Sequence, residues 1–199
     1  MSQDTKPKKK FYKRIWFWIL ILVLAFGIYA ATTGSNKDSS SKDTSSSQSG
    51  VTKASYDKIQ MGEDRDNVVK DLGKPSTSSK TNTNGTEAEL LGWSKVSSSF
   101  NVGTISVTVA NGKVIGKGYT NPSLAKIKPL DKTKVASIQN GASYKDVIDK
   151  LGQPTTEAYT SIAGQNSVMI QYVTSTSGNA TSFTFMNDAL MSTTETHLN

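Results

Sequence analysis

The chain has 199 residues, a formal net charge of +7 and no cysteine. Without cysteine, disulfides, thiolate metal sites, thiol nucleophiles and lipid attachment through a thioether are all excluded. The charge does not signal nucleic acid, because the first 14 residues carry six basic side chains and one acid; +5 of the +7 sits there, leaving +2 for the remaining 185.

Residues 1–14 are a basic tail containing KPKKKFYKR. Ile15–Ala31 follows as IWFWILILVLAFGIYAA, 17 residues without a charge, ten of them Leu, Ile, Val or Phe. That length is at the short end of a membrane-crossing helix. Trp16 and Trp18 lie toward one end and Tyr29 toward the other, as interfacial aromatics do. Lysines before the segment keep the amino terminus in the cytoplasm and send residue 32 onward outside. The expectation is a single-pass membrane protein with an extracytoplasmic C-terminal part. The alternative is a secreted form, cleaved near Gly27 in the small-x-small stretch Ala25-Phe26-Gly27.

Residues 32–53 contain 12 Ser or Thr among 22 positions and no aromatic residue. Such a tract buries too little apolar surface to fold. As a flexible stalk it spans about 25 Å on average.

The remainder is organised by internal similarity. IQMGEDRDNVVKDLGKPS from Ile59 aligns without a gap on IQNGASYKDVIDKLGQPT from Ile138, at a constant offset of 79. The alignment pairs Gly62 with Gly141, Val68 with Val147, Leu72 with Leu151, Gly73 with Gly152 and Pro75 with Pro154. Glycine turns at 62 and 141 precede helix caps at Asp64 and Ser143. Val68, Val69 and Leu72, like Val147, Ile148 and Leu151, form an apolar stripe at helical spacing. Gly73 and Gly152 suit the left-handed position after each helix, and the prolines end it.

Strands follow. Leu91 meets Ile170 and Trp93 meets Tyr172 at the same offset, and both aromatics read as core. Ile105, Val107 and Val109 alternate with Ser106 and Thr108, and Phe183 and Phe185 with Ser182 and Thr184. This pattern predicts a sheet with one buried and one wet face. Asn111-Gly112 and Asn187-Asp188 are hairpin turns. The predicted fold is α+β. It has two tandem α-α-β-β-β repeats, residues 54–121 and 135–199, joined by a connector at 122–134. The helices pack on one face of an antiparallel sheet, and one N-terminal transmembrane helix precedes them.

The block Ile-x-x-Gly-(x)5-Val-hydrophobic-x-x-Leu-Gly-x-Pro, followed by strands closing on an Asn-Gly-Lys-Val hairpin, resembles the tandem domains related to β-lactamase inhibitory protein. It is also similar to the small outer-membrane assembly lipoproteins and to Gram-positive surface proteins carrying this repeat. The resemblance covers residues 54–199 and implies a helix–helix–sheet unit used for binding other proteins. This chain departs from those relatives. It lacks the inhibitors' disulfides and a lipobox cysteine. Its open sheet face carries Thr104, Ser106, Thr108, Ser182 and Thr184 where a clasping inhibitor would present aromatic anchors.

No catalytic constellation is visible. The one histidine, His197, lies two residues from the end. Glu63, Asp64 and Asp66 read as helix-start acids, and Glu87 and Glu89 as solvated. No G-x-S-x-G motif occurs. No catalytic, cofactor or metal site is predicted. The expected function is a non-enzymatic module that binds an envelope protein. Its contacts are Phe100 and Tyr159, in irregular stretches, together with the five open-face hydroxyl residues. Two alternatives stand beside it. One is a binder of anionic wall polymer or lipid through Lys126, Lys128, Lys132 and Lys134. The other is an inhibitor of a β-lactamase or wall hydrolase.

Overall fold

The computed structural model describes residues 51–83, 86–98, 100, 102–121 and 129–197. The tail, the apolar segment Ile15–Ala31, nearly all of the stalk, and connector lysines Lys126 and Lys128 lie outside the described residues. Among the described residues no helix is long and apolar enough to cross a membrane. The elements in order are α1 (Lys53–Lys58), α2 (Arg65–Leu72), β1 (Thr77–Thr83), β2 (Thr86–Trp93), β3 (Thr104–Ala110) and β4 (Lys113–Thr120), then α3 (Lys132–Ala136), α4 (Tyr144–Leu151), β5 (Thr156–Ile162), β6 (Gln165–Val173), β7 (Ala180–Met186) and β8 (Ala189–Thr196).

The eight strands form one sheet in the order β1 to β8, each antiparallel to the next. The expected α-α-β-β-β unit is therefore corrected: each half carries two helices and four strands. The two missed strands had no apolar alternation to betray them. β1 reads TSSKTNT and has no apolar residue. It is an edge strand, held by its main-chain ladder to β2. β5 reads TEAYTSI and directs a carboxylate, Glu157, toward the side where an apolar residue is expected.

The fold also begins earlier than residue 54. Val51 is buried and forms a parallel bridge with Val96, and Thr52 caps α1 in a reciprocal pair with Ser55. Ser143 caps α4 in the same way with Asp146. Asp64 holds the cap position of α2, but its carboxylate pairs with Lys113 at 2.8 Å and makes no side-chain bond to the helix. Glu89, expected in solvent, is buried. It receives Arg65 Nε at 2.6 Å, Arg65 Nη2 at 3.1 Å and the Ser78 hydroxyl at 2.7 Å. This forked pair pins α2 to the sheet.

Two apolar clusters fill the helix side. Val68 and Leu72 pack with Leu91, Trp93, Ile105, Val107 and Val109 in the first. Val147 packs with Ile170, Tyr172, Phe183, Phe185 and Leu190 in the second, with Ile148 and Leu151 at its margin. The same polar tie closes each helix–sheet contact. Trp93 Nε1 donates to the Gly73 carbonyl at 2.9 Å, and the Tyr172 hydroxyl donates to the Gly152 carbonyl at 2.7 Å. Both glycines sit at positive φ with ψ near 180°. This is an extended mirror-image region open essentially to glycine alone, and not the left-handed helical region the sequence suggests.

Candidate functional site

Strand register separates the two faces of the sheet. With Ile105, Val107 and Val109 buried against the helices, Thr104, Ser106 and Thr108 stand on the opposite, open face. Cross-strand pairing then aligns open-face residues in rows. One row runs Thr104, Thr120, Thr156, Gln171, Ser182, Thr194. A second runs Gly92, Ser106, Gly118, Ala158, Met169, Thr184, Ser192. The five predicted hydroxyl residues thus share one surface, Thr104 exposed and the others half-buried.

That surface is dominated by small and hydroxyl side chains, with Leu90, Met169, Gln171 and Met186 among its larger uncharged members. The one charged residue at an open-face position of β2–β8 is Lys113, beside the β3–β4 turn, and its ammonium is engaged by Asp64. The charged side chains lie elsewhere: on α2, Arg65, Asp66, Lys70 and Asp71; on α4, Lys145, Asp146, Asp149 and Lys150. An ordinary solvated surface intersperses charges, whereas the centres of protein interfaces are depleted in them.

The two predicted aromatic contacts do not join this face. Phe100 is 1% exposed and belongs to the first core, its ring 5.5 Å from Tyr56 and 5.3 Å from Tyr119. Tyr159 pairs with Lys117 and Val168 on the helix side, half-buried against the second core. Burial removes Phe100 from the candidate contacts, and Tyr159 lies apart from the open-face residues.

Behind the sheet, where β4 meets β5, the structure holds a polar cluster that no motif announces. Glu157 is 8% exposed. The Tyr56 hydroxyl of α1 donates to its Oε1 at 2.7 Å, and the Tyr144 hydroxyl of α4 donates to its Oε2. Lys117 Nζ donates to the Tyr56 and Ile59 carbonyls, each at 3.1 Å, and lies 4.7 Å from the Tyr56 ring centre. Helices from both halves therefore converge on one carboxylate of β5. Gly118 makes the joint possible, since a Cβ there would stand 2.5 Å from the Glu157 carbonyl oxygen. The signal available in the sequence is a glutamate at a core-facing position of a strand flanked by tyrosines, readable only once pairing is known.

The cluster is built to hold position. Burial first, and the Glu157 charge second, hold the Tyr56, Tyr119, Tyr144 and Tyr172 phenols well above the usual tyrosine value. Their contribution to stability is fully present below the unfolded-state pKa of about 10 and is lost as pH rises above it. Lys117, pushed down by burial, acts in the opposite sense as the one such group in the cluster. The urea midpoint is accordingly expected to fall between about pH 9 and 11, while tyrosinate absorbance in the folded protein lags behind that of free tyrosine. A midpoint constant over that range would contradict the arrangement. Among the described residues no group of His, Asp or Glu is placed to hold a metal ion.

Residues 52–126 match the family model described as beta-lactamase inhibitor (BLIP), and residues 96–198 match the model described as a domain of unknown function with solved structure (DUF3862). Among solved structures the fold is similar to a protein from Streptococcus mutans described as a "putative beta-lactamase inhibitor protein". That similarity has 19% identity and a TM-score of 0.55, covering 75% of this chain and 91% of that one. No curated protein sequence matches the chain. The fold is thus of the beta-lactamase-inhibitor type, an antiparallel sheet backed by few helices.

Proposed function

The chain belongs to the DUF3862 family, whose model covers more than half of it, and from that premise we propose that it is a non-enzymatic, protein-binding module held outside the cell membrane. The docking surface in this reading is the open face of the sheet. The observation that carries it is the near-absence of charge across that face, against helices rich in charge on the other side. The inhibitor-type fold supports a protein as the partner. The lysine-flanked apolar segment Ile15–Ala31 supports attachment to the membrane, with the C-terminal part outside.

Photo-crosslinkers placed at Thr108 and Thr184 in intact cells are expected to trap one defined protein, and a crosslinker at Lys70 on α2 is not. Recovery from Lys70 alone, or from no position, would refute the open face as the site. Thr108→Arg or Ser182→Arg is expected to reduce partner recovery by about tenfold. The same changes should leave folding stability within about 0.5 kcal/mol, since both side chains lie away from the core.

A hydrolase, including a β-lactamase, is a second partner reading, favoured by the family model over residues 52–126. Titration of purified protein against such enzymes tests it by stoichiometric loss of turnover. The wall-polymer reading rests on the connector lysines, of which Lys132 and Lys134 lie exposed on α3. It requires binding that weakens steeply with salt, whereas docking on an uncharged face requires binding that hardly changes.

A further inference from the structure

Among the described residues the sheet is open, and β1 and β8 each have a neighbouring strand on one side only. The two edges differ in how they are guarded. β1 is wholly polar and carries Lys80, which pairs with Glu87 at 3.0 Å. A lysine on an edge is a standard device against strand addition. β8 reads ALMSTTET, with neither lysine nor proline. Every residue from Met191 to Thr196 is exposed, including those on the helix side, so none of the described helices covers this edge. The large apolar residues that are exposed among the described residues are Met186 and Met191, at 37% and 59%, and both belong to the β7–β8 hairpin. The β-bulge of this hairpin lies toward its turn, leaving Ser192–Thr196 in regular register with β7.

We propose that β8 is a self-association edge, along which a second copy of this chain pairs antiparallel to extend the sheet. The composition of β8 fits a copy of itself. The one charge in the strand is Glu195. Antiparallel self-pairing centred on Thr194 sets Glu195 opposite Thr193 and Ser192 opposite Thr196, so no like charges stand directly opposite one another and the two Glu195 residues are only diagonal neighbours. Threonine and serine pairs across strands are mildly favourable, and threonine suits the extended backbone. The contact is short, so the association is weak and reversible. It leaves the open face free and doubles its extent, and it stands independently of what binds there.

The absence of native cysteine makes the test direct. The full chain, purified in detergent micelles, is made with Thr194→Cys, Ser79→Cys on β1 or Thr108→Cys on the open face. Under mild oxidation Thr194→Cys is expected to form a covalent dimer about tenfold faster than the other two. Adding Ser192→Lys to Thr194→Cys is expected to abolish that advantage. Mixing the Ser192→Lys and Thr196→Glu forms, both carrying Thr194→Cys, is expected to restore it, because position 192 of one copy faces position 196 of the other. Circular dichroism should show the fold unchanged in each, since these positions are exposed. Equal rates at Thr194→Cys and Ser79→Cys would overturn the proposal. So would faster joining of Thr194→Cys chains to Ser79→Cys chains than to one another, which marks head-to-tail pairing of β8 with β1.

Discussion

Replacing Phe100 with alanine is expected to destabilise the fold by about 3–5 kcal/mol, as removal of a buried aromatic ring from a packed core does. The ring is 1% exposed and sits tilted between Tyr56 and Tyr119 at 5.5 and 5.3 Å. Those aromatic pairs add about 0.5–1.5 kcal/mol beyond the area they bury. At about 2–4 °C per kcal/mol for a domain near this size, the thermal midpoint falls by roughly 10 °C. The loop around Phe100 also carries an acceptor for the second half, since Gln153 Nε2 donates to its carbonyl at 3.4 Å. Urea unfolding separates this role from surface recognition. A surface anchor would leave the midpoint unchanged and abolish partner capture. A change below about 1 kcal/mol would place the ring outside the core.

Glu157→Ala is expected to cost about 3 kcal/mol, because it leaves the buried Tyr56 hydroxyl without its acceptor, at about 1–3 kcal/mol, and the half-buried Tyr144 hydroxyl without its own. It also removes the negative charge that most favours the half-buried ammonium of Lys117. The cost should be strongly coupled to the tyrosines. In a double-mutant cycle, Tyr56→Phe is expected to be destabilising in the native background and nearly neutral once Glu157 is alanine, giving an interaction of about 1 kcal/mol or more. Additive effects would show that the two groups do not share one site. Because α1 and α4 meet through this carboxylate, the variant should also raise amide exchange along β4 and β5 before it does so in β2 or β7.

The two missed strands and the missed cluster have one origin. Hydrophobic alternation reports a strand only when one face is apolar. Ile105, Val107 and Val109 announce β3, but the all-polar β1 is stabilised by ladder bonds that any residue type can make. In β5 the core-facing position is filled by Glu157, whose partners lie 101 residues upstream at Tyr56 and 13 residues upstream at Tyr144. Nothing local marks such a pairing. Phe100 was misplaced for the complementary reason: an aromatic residue in an irregular stretch has no periodicity to show which way it faces.

By itself, the sequence determined the duplicated helix stripes, the glycine after each helix, the hairpin turns and the hydroxyl-rich composition of the open face. Each of these rests on spacing within a few residues or on residue type alone. Only the tertiary structure decided the number of strands per half, the burial of Phe100, the joint at Glu157 and the unguarded edge at β8. These depend on which strand lies beside which, and antiparallel pairing brings together residues whose separation along the chain carries no trace of their contact.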